Sequence, residues 1–156
     1  MAITTTITDD FADQFRDGVS LSDKNSLLAD YDNVKTALYT SSATLNKDTT
    51  AYTTTNEVSG QGYTAGGLTL WNTALYTTVA VNQGPNSDIH TMDFPDAIWP
   101  NATFTARGAL VFRVYASSTA AMAVFDFGGD FTVTNGTFTI VWPPATIQRA
   151  AIRVIG

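Results

Sequence analysis

The chain has 156 residues, a formal net charge of −6 and no cysteine; 44% of its residues are hydrophobic and only 14% charged. That length suits one domain, and the apolar share excludes a charge-solvated disordered chain. The acidic balance excludes the basic stripe of a nucleic-acid binder. No apolar run reaches the ~20 residues of a membrane span, and the lack of cysteine removes disulfide scaffolds and thiol nucleophiles.

Composition points to sheet. Threonine occurs 26 times and aromatics 18 times, while glutamate occurs once, at Glu57. Threonine and aromatic side chains fit a pleated, half-buried surface, and β-branched threonine is a weak helix former. The N-terminal Met-Ala-Ile-Thr-Thr-Thr-Ile-Thr lacks the positive start and apolar run of a secretion signal.

In chain order, residues 1–33 read as an N-terminal arm and residues 34–156 as a β domain. Ala2 to Thr8 is extended, with Ile3 and Ile7 as its apolar points. Asp9-Asp10, then Phe11 and Phe15 four apart, then Gly18, predict a short helix with an Asp cap and a Gly stop. The arm either packs on its own domain or reaches a neighbouring subunit through Ile3, Ile7, Phe11 and Phe15.

Val34 to Thr40 alternates as a strand, with Lys35, Ala37 and Tyr39 opposite Val34, Thr36 and Leu38. Ser41 to Thr55 is a polar connection. Glu57 to Gly67 is a turn-rich glycine loop. It lacks the Lys-Ser/Thr ending of a phosphate-binding Walker loop. Leu68–Trp71, Ala74–Val81 and Ile89–Phe94 are expected strands. Ala97–Trp99 is a short one stopped by Pro100. Thr103–Tyr115 is a long strand with Leu110, Phe112 and Val114 on one face, and Ala121–Phe127 has apolar residues on both faces.

Phe131 to Trp142 carries the strongest local pattern. Asn135-Gly136 is the favoured pair for a two-residue hairpin turn. Setting Thr134 opposite Thr137 places Val133 against Phe138 and Phe131 against Ile140 on one face, with Thr132 against Thr139 on the other. Pro143-Pro144 stops this strand, and Ala145–Ile155 is the last. About eight to ten short antiparallel strands predict an all-β sandwich or jelly roll.

Catalytic equipment is sparse. His90 is the only histidine, and no Gly-x-Ser-x-Gly elbow accompanies it, so a Ser-His-Asp triad is not expected. Asp93 with Asp96, or Asp126 with Asp130, could offer paired carboxylates, and the Asp126–Asp130 loop a cation site. Asp126-Phe-Gly-Gly-Asp130 reads more simply as a turn. Asn101 and Asn135 open glycosylation sequons that read as accidents without a secretion signal. Phe112, Phe125, Phe127, Phe131, Phe138 and Trp142 read as core. Tyr63, Trp71 and Trp99 lie near loops and are candidates for a surface aromatic contact.

The runs Val34-Lys-Thr-Ala-Leu-Tyr-Thr-Ser-Ser-Ala-Thr-Leu and Asn56-Glu-Val-Ser-Gly-Gln-Gly-Tyr-Thr-Ala-Gly-Gly resemble a family of tailed-bacteriophage virion structural proteins. Trp99-Pro-Asn-Ala-Thr-Phe-Thr-Ala-Arg-Gly-Ala and Val124 to Thr139 resemble the same family. The similarity covers about residues 34–155. It implies a jelly-roll-like, non-enzymatic capsid decoration or cement protein, with no cofactor. Its partners would be the major capsid protein and further copies of itself, on the capsid surface of a virion assembled in the bacterial host cytoplasm. The alternative within the same class is a tail or head-fibre component with a receptor- or carbohydrate-binding β domain.

Overall fold

The computed structural model describes residues 2–16, 33–72, 89–92, 94–115, 118–143 and 151–155. The first strand β1 (Thr6–Ile7) leads into one helix, α1 (Asp9–Arg16). The remaining strands are β2 (Asn33–Tyr39), β3 (Leu68–Asn72), β4 (Ile89–Met92), β5 (Ala97–Tyr115), β6 (Ser118–Ile140) and β7 (Ile152–Ile155). All pairings between named strands are antiparallel. The protein is therefore all-β, as threonine and aromatic content predicts. β1-β6-β5-β2-β3 form one sheet, and β4 pairs with β7 in a separate ribbon. The expected strand Ala74–Val81 lies outside the described residues, as do Asp93 and the first part, residues 145–150, of the expected last strand.

Alternation on β2 sorts its side chains between two cores, one on each face of the sheet. Val34 and Leu38 join Ala109, Val111 and Met122 in the first core. Ala37 and Tyr39 join Leu110, Phe112 and Val124 in the second, with Val114 packed against it. Leu110, Phe112 and Val114 thus share one face, as their spacing predicts. The polar connection 41–55 contributes Ala43, Leu45 and Tyr52 to cover that second face, where the Tyr52 ring stacks on Phe112 at 4.8 Å.

The arm is built into the same sheet. Thr6 and Ile7 pair with Val124 and Ala123 of β6, and Ile3 bridges to Leu45. The helix begins at Asp9, inside which Asp9 and Asp10 occupy the first turn, where the helix dipole favours negative charge. Thr8 sits at the cap position, but its hydroxyl donates to the Ala121 carbonyl at 2.9 Å instead of capping. Phe11 is buried beneath Arg113, whose guanidinium lies 5.5 Å from the ring centroid. Ile3 and Phe11 therefore face their own domain, and Ile7 packs against the first core. Of the two expectations for the arm, packing on its own domain describes Ile3, Ile7 and Phe11: each finds apolar partners within the monomer, and Ile3 and Phe11 are buried there. Phe15 lies in α1, and its side chain is outside the described residues.

β5 and β6 form one continuous ribbon from Tyr115 opposite Ser118 to Ala97 opposite Ile140. Here the sequence reading needs three corrections. Asn135-Gly136 is not a hairpin turn. A type I′ turn needs positive φ at both central residues, and only Asn135, at φ 47°, has it. Gly136 instead lies opposite Ala102, and Phe131 opposite Ala106. Pro100 does not end a strand, because it sits where β5 carries an extra residue, next to Asn101 at φ 52°. A bulge tolerates the missing donor. Asp126 to Asp130 is not a turn between strands. It is a wide bulge, since β6 runs from Phe131 to Asp126 while β5 runs only from Ala106 to Gly108.

The wide bulge lets the ribbon fold over. From the Ala109–Phe125 pair to the Ala97–Ile140 pair an extended ribbon would run about 40 Å. Yet the Phe125 and Trp142 rings lie 5.1 Å apart, and Phe127 and Phe138 6.1 Å. Trp99, Ala102, Phe104 and Ala106 consequently share the first core with Val34, Leu38 and Val111. Among the described residues the hydrogen bonds thus define one five-stranded antiparallel sheet bent over its own core, beside the two-stranded β4–β7 ribbon.

Candidate interaction surface

The folded-over half of the ribbon, residues 97–106 and 131–143, contains no charged side chain. One face turns Ala97, Trp99, Ala102, Phe104 and Ala106 inward, with Val133, Phe138 and Ile140 packed beside them. The other face is solvent-exposed and consists mainly of Ile98, Asn101, Thr105, Thr132, Thr134, Asn135, Thr137 and Thr139. Solvated sheet faces ordinarily carry lysine and glutamate. Depletion of charge is a property of interface centres, and the contrast matters in a chain of net charge −6.

Threonine hydroxyls tie this face together. Thr105 and Thr132 are directly opposite, with their Oγ1 atoms 2.8 Å apart. At the paired bulges the Asn135 backbone N–H donates to Thr103 Oγ1 at 2.9 Å, and the Thr103 hydroxyl donates to Asn135 Oδ1 at 3.4 Å. The chain's exposed large apolar side chains, among the described residues, lie along this same half: Ile98 at 51%, Phe131 at 53% and Val141 at 71% exposure.

The wide bulge is pinned at its base. Arg107 Nε donates to Asp126 Oδ1 at 2.8 Å, and the same oxygen accepts the Gly128 N–H at 2.9 Å. Gly128 adopts φ 79°, a conformation glycine reaches without strain. The Arg107 hydrogen bond, then the Gly128 N–H, hold the Asp126 carboxyl below its ordinary value. Asp126 is therefore occupied within the bulge. Among the described residues no three carboxylate or imidazole side chains gather. Asp96 accepts the Trp142 backbone N–H at 3.1 Å. His90 is paired with Val154 in the β4–β7 ribbon, with its side chain outside the described residues.

The aromatic candidates separate. Trp99 is 2% exposed, stacked near Tyr63 and edge-on to Phe138, so it is core and not a surface contact. The cause is the bend, which carries Ala97–Trp99 over the first core. Tyr63 is partly buried and committed to hydrogen bonds. Trp71 pairs with Val34 at the β3 edge, with its side chain outside the described residues.

Tyr63 belongs to a cluster that spacing alone did not reveal. The lone glutamate, Glu57, accepts Tyr52 Oη–H at 2.7 Å, Tyr63 Oη–H at 2.7 Å and the Gly66 N–H at 2.8 Å. Tyr63 Oη in turn accepts the Leu38 N–H at 2.9 Å. Burial, then the Glu57 hydrogen bond, push the Tyr52 hydroxyl up to about 12 and the Tyr63 hydroxyl further still. Both tyrosines are thus donors at any ordinary pH. The cluster clamps the glycine loop onto β2, and Gln61 of that loop bridges to Thr103, bracing the ribbon from its β5 side. The available signal was the single glutamate set among tyrosines and glycines.

Among the described residues no helix is long and apolar enough to cross a membrane. No protein-family model matches the chain, and comparison with curated proteins and with solved structures finds no match.

Proposed function

We propose that the protein is a non-enzymatic structural component of a tailed-bacteriophage virion: a capsid decoration or cement protein. It would bind the outside of the head and clamp neighbouring major capsid subunits. The observation that carries this reading is the uncharged, threonine-lined outer face of the folded ribbon. A face held by the β5–β6 ladder, by the threonine hydrogen bonds across its bulges and by the Glu57 clamp loses little conformational freedom on docking. Without charged side chains it also has no buried ion to desolvate. Such a surface suits permanent contact with a lattice better than capture and release of a small molecule. The resemblance read in the sequence to phage virion structural proteins is what suggests the major capsid protein as partner. Cement action further requires preference for the mature lattice over its precursor, since equal affinity shifts no equilibrium.

The test is co-sedimentation of the purified protein with mature capsids that lack it. The I98K/T105K variant puts two charges on the exposed face of β5. Wild type should pellet with capsids and raise their resistance to heat, and the variant should stay in the supernatant while keeping its circular dichroism. Absence of the chain from purified virions, or undiminished binding by the variant, would refute the reading.

A further inference from the structure

Among the described residues no strand pairs with the outer edge of β6 between Phe131 and Ile140; β1 covers β6 only at Ala123 and Val124. An open edge of this length normally carries lysine, proline or an inward charge to prevent pairing, and residues 131–140 contain none. The segment has a second property. Phe-Thr-Val-Thr-Asn-Gly-Thr-Phe-Thr-Ile keeps its apolar-threonine order when read backwards about Asn135-Gly136. That symmetry suggests a hairpin, yet the fold spends the segment on one strand and leaves the symmetry unused.

The geometry points to a two-fold dimer in which the β6 edges of two copies pair antiparallel about Asn135-Gly136. A two-fold interface must be self-complementary, each residue meeting a partner position that it answers in return. In this register Phe131 lies opposite the partner's Ile140, Thr132 opposite the partner's Thr139, Val133 opposite the partner's Phe138 and Thr134 opposite the partner's Thr137. Apolar side chains meet apolar ones on the core face, and threonines meet threonines on the outer face. The assignment agrees with the inward facing of Val133, Phe138 and Ile140 already present in the monomer.

One exposure supports the second copy as occupant. Phe131 stands 53% exposed at the end of the segment. The two-fold brings each Phe131 opposite the partner's Ile140 on the core face, so the exposed ring is covered in both copies at once. The nearest charge, Asp130, falls at the margin, well away from its own symmetry mate. The Asn135 bulges meet at the centre and divide the new ladder into two short arms. The contact is therefore small, and the dimer should dissociate on dilution.

This deepens the self-association expected of a decoration protein, but it is tested in solution without capsids, so its failure leaves the co-sedimentation result to stand by itself. Sedimentation velocity over a concentration series should show a reversible dimer. The T132K/T139K variant places lysine opposite lysine twice across the two-fold and should weaken the dimer by roughly tenfold or more. T132K/T139E places lysine opposite glutamate and should restore it. Residues 132 and 139 are too far apart on one strand to join, so T132C/T139C in this cysteine-free chain should oxidise to a covalent dimer. That cross-link reads the register independently of the charged variants. A wild type monomeric at every concentration, a dimer untouched by T132K/T139K, or a charge swap that restores nothing would overturn the proposal.

Discussion

Removing the Glu57 carboxylate should loosen the glycine loop and the ribbon it braces. The carboxylate accepts three hydrogen bonds, from Tyr52, Tyr63 and the Gly66 N–H, each at 2.7 or 2.8 Å. Bonds to a charged group contribute ~1.5–3 kcal/mol each in favourable settings. Glu57 is partly exposed, however, and water replaces part of what is lost. The expected cost of Glu57→Ala is about 2–4 kcal/mol, a large fraction of a small domain's stability. Glu57→Gln keeps an acceptor for Tyr63 and Gly66 but turns a donor toward Tyr52, so about 1 kcal/mol is expected. Urea denaturation measures both. A Glu57→Gln, Tyr63→Phe double-mutant cycle isolates the coupling, because Tyr63→Phe alone also orphans the Leu38 N–H. Tyrosinate absorbance supplies a second readout. The carboxylate is one cause of the raised tyrosine values, so Glu57→Gln should lower them partway and burial should hold the rest. A Glu57→Ala protein within ~0.5 kcal/mol of wild type, or with unchanged tyrosine titration, would refute the clamp.

Gly67→Ala should be among the most damaging single-methyl additions. Gly67 sits at φ 65°, and its new Cβ would fall 1.8 Å from the Thr36 carbonyl oxygen on β2. Backbone cannot yield as a side chain can, so a loss of about 1–3 kcal/mol or more is expected in urea denaturation. Asp126 has a depressed value in the folded state, so its contribution is present above the ordinary carboxylate range and fades as pH falls through the lowered value. Wild type should therefore lose stability in that acid window, while Asp126→Asn should show a flatter profile there in pH-dependent thermal melts. Phe11→Ala should cost about 3–5 kcal/mol, because Phe11 is buried beneath Arg113. A near-neutral result would show that the arm is not part of the folding unit.

The all-β class, the extent of β2, the two-sided sorting of Leu110 and Ala109, and the looped glycine segment were legible because each rests on local alternation or turn chemistry. Strand partners were not. Phe131 to Ile140 sorts its faces equally well as a hairpin or as one long strand bulged at Asn135, since alternation states which way a side chain points and not what lies beside it. Asn135 and Gly128 supply the positive φ that turns and bulges require alike. Trp99 and Phe11 looked available for outside contact because their cover comes from segments distant in the chain. The uncharged surface was visible as the charge-free run 131–143, but its significance depended on the bend that exposes one side of it.

Asn101 and Asn135 mark two opposite phase slips in the same ladder. Trp99 lies opposite Phe138 and Phe104 opposite Val133, five steps along each strand, although each strand holds one extra residue at a different rung between them. Like dislocations of opposite sign, the slips cancel at long range. Straightening either slip while keeping its residue would flip every side chain beyond it to the other face, which at Asn101 would send Trp99 into water. Excising the extra residue itself would leave regular alternation, with Trp99 still opposite Phe138 and still inward. What is locked at Asn101 and Asn135 is therefore the positive-φ backbone that absorbs one residue without turning a face.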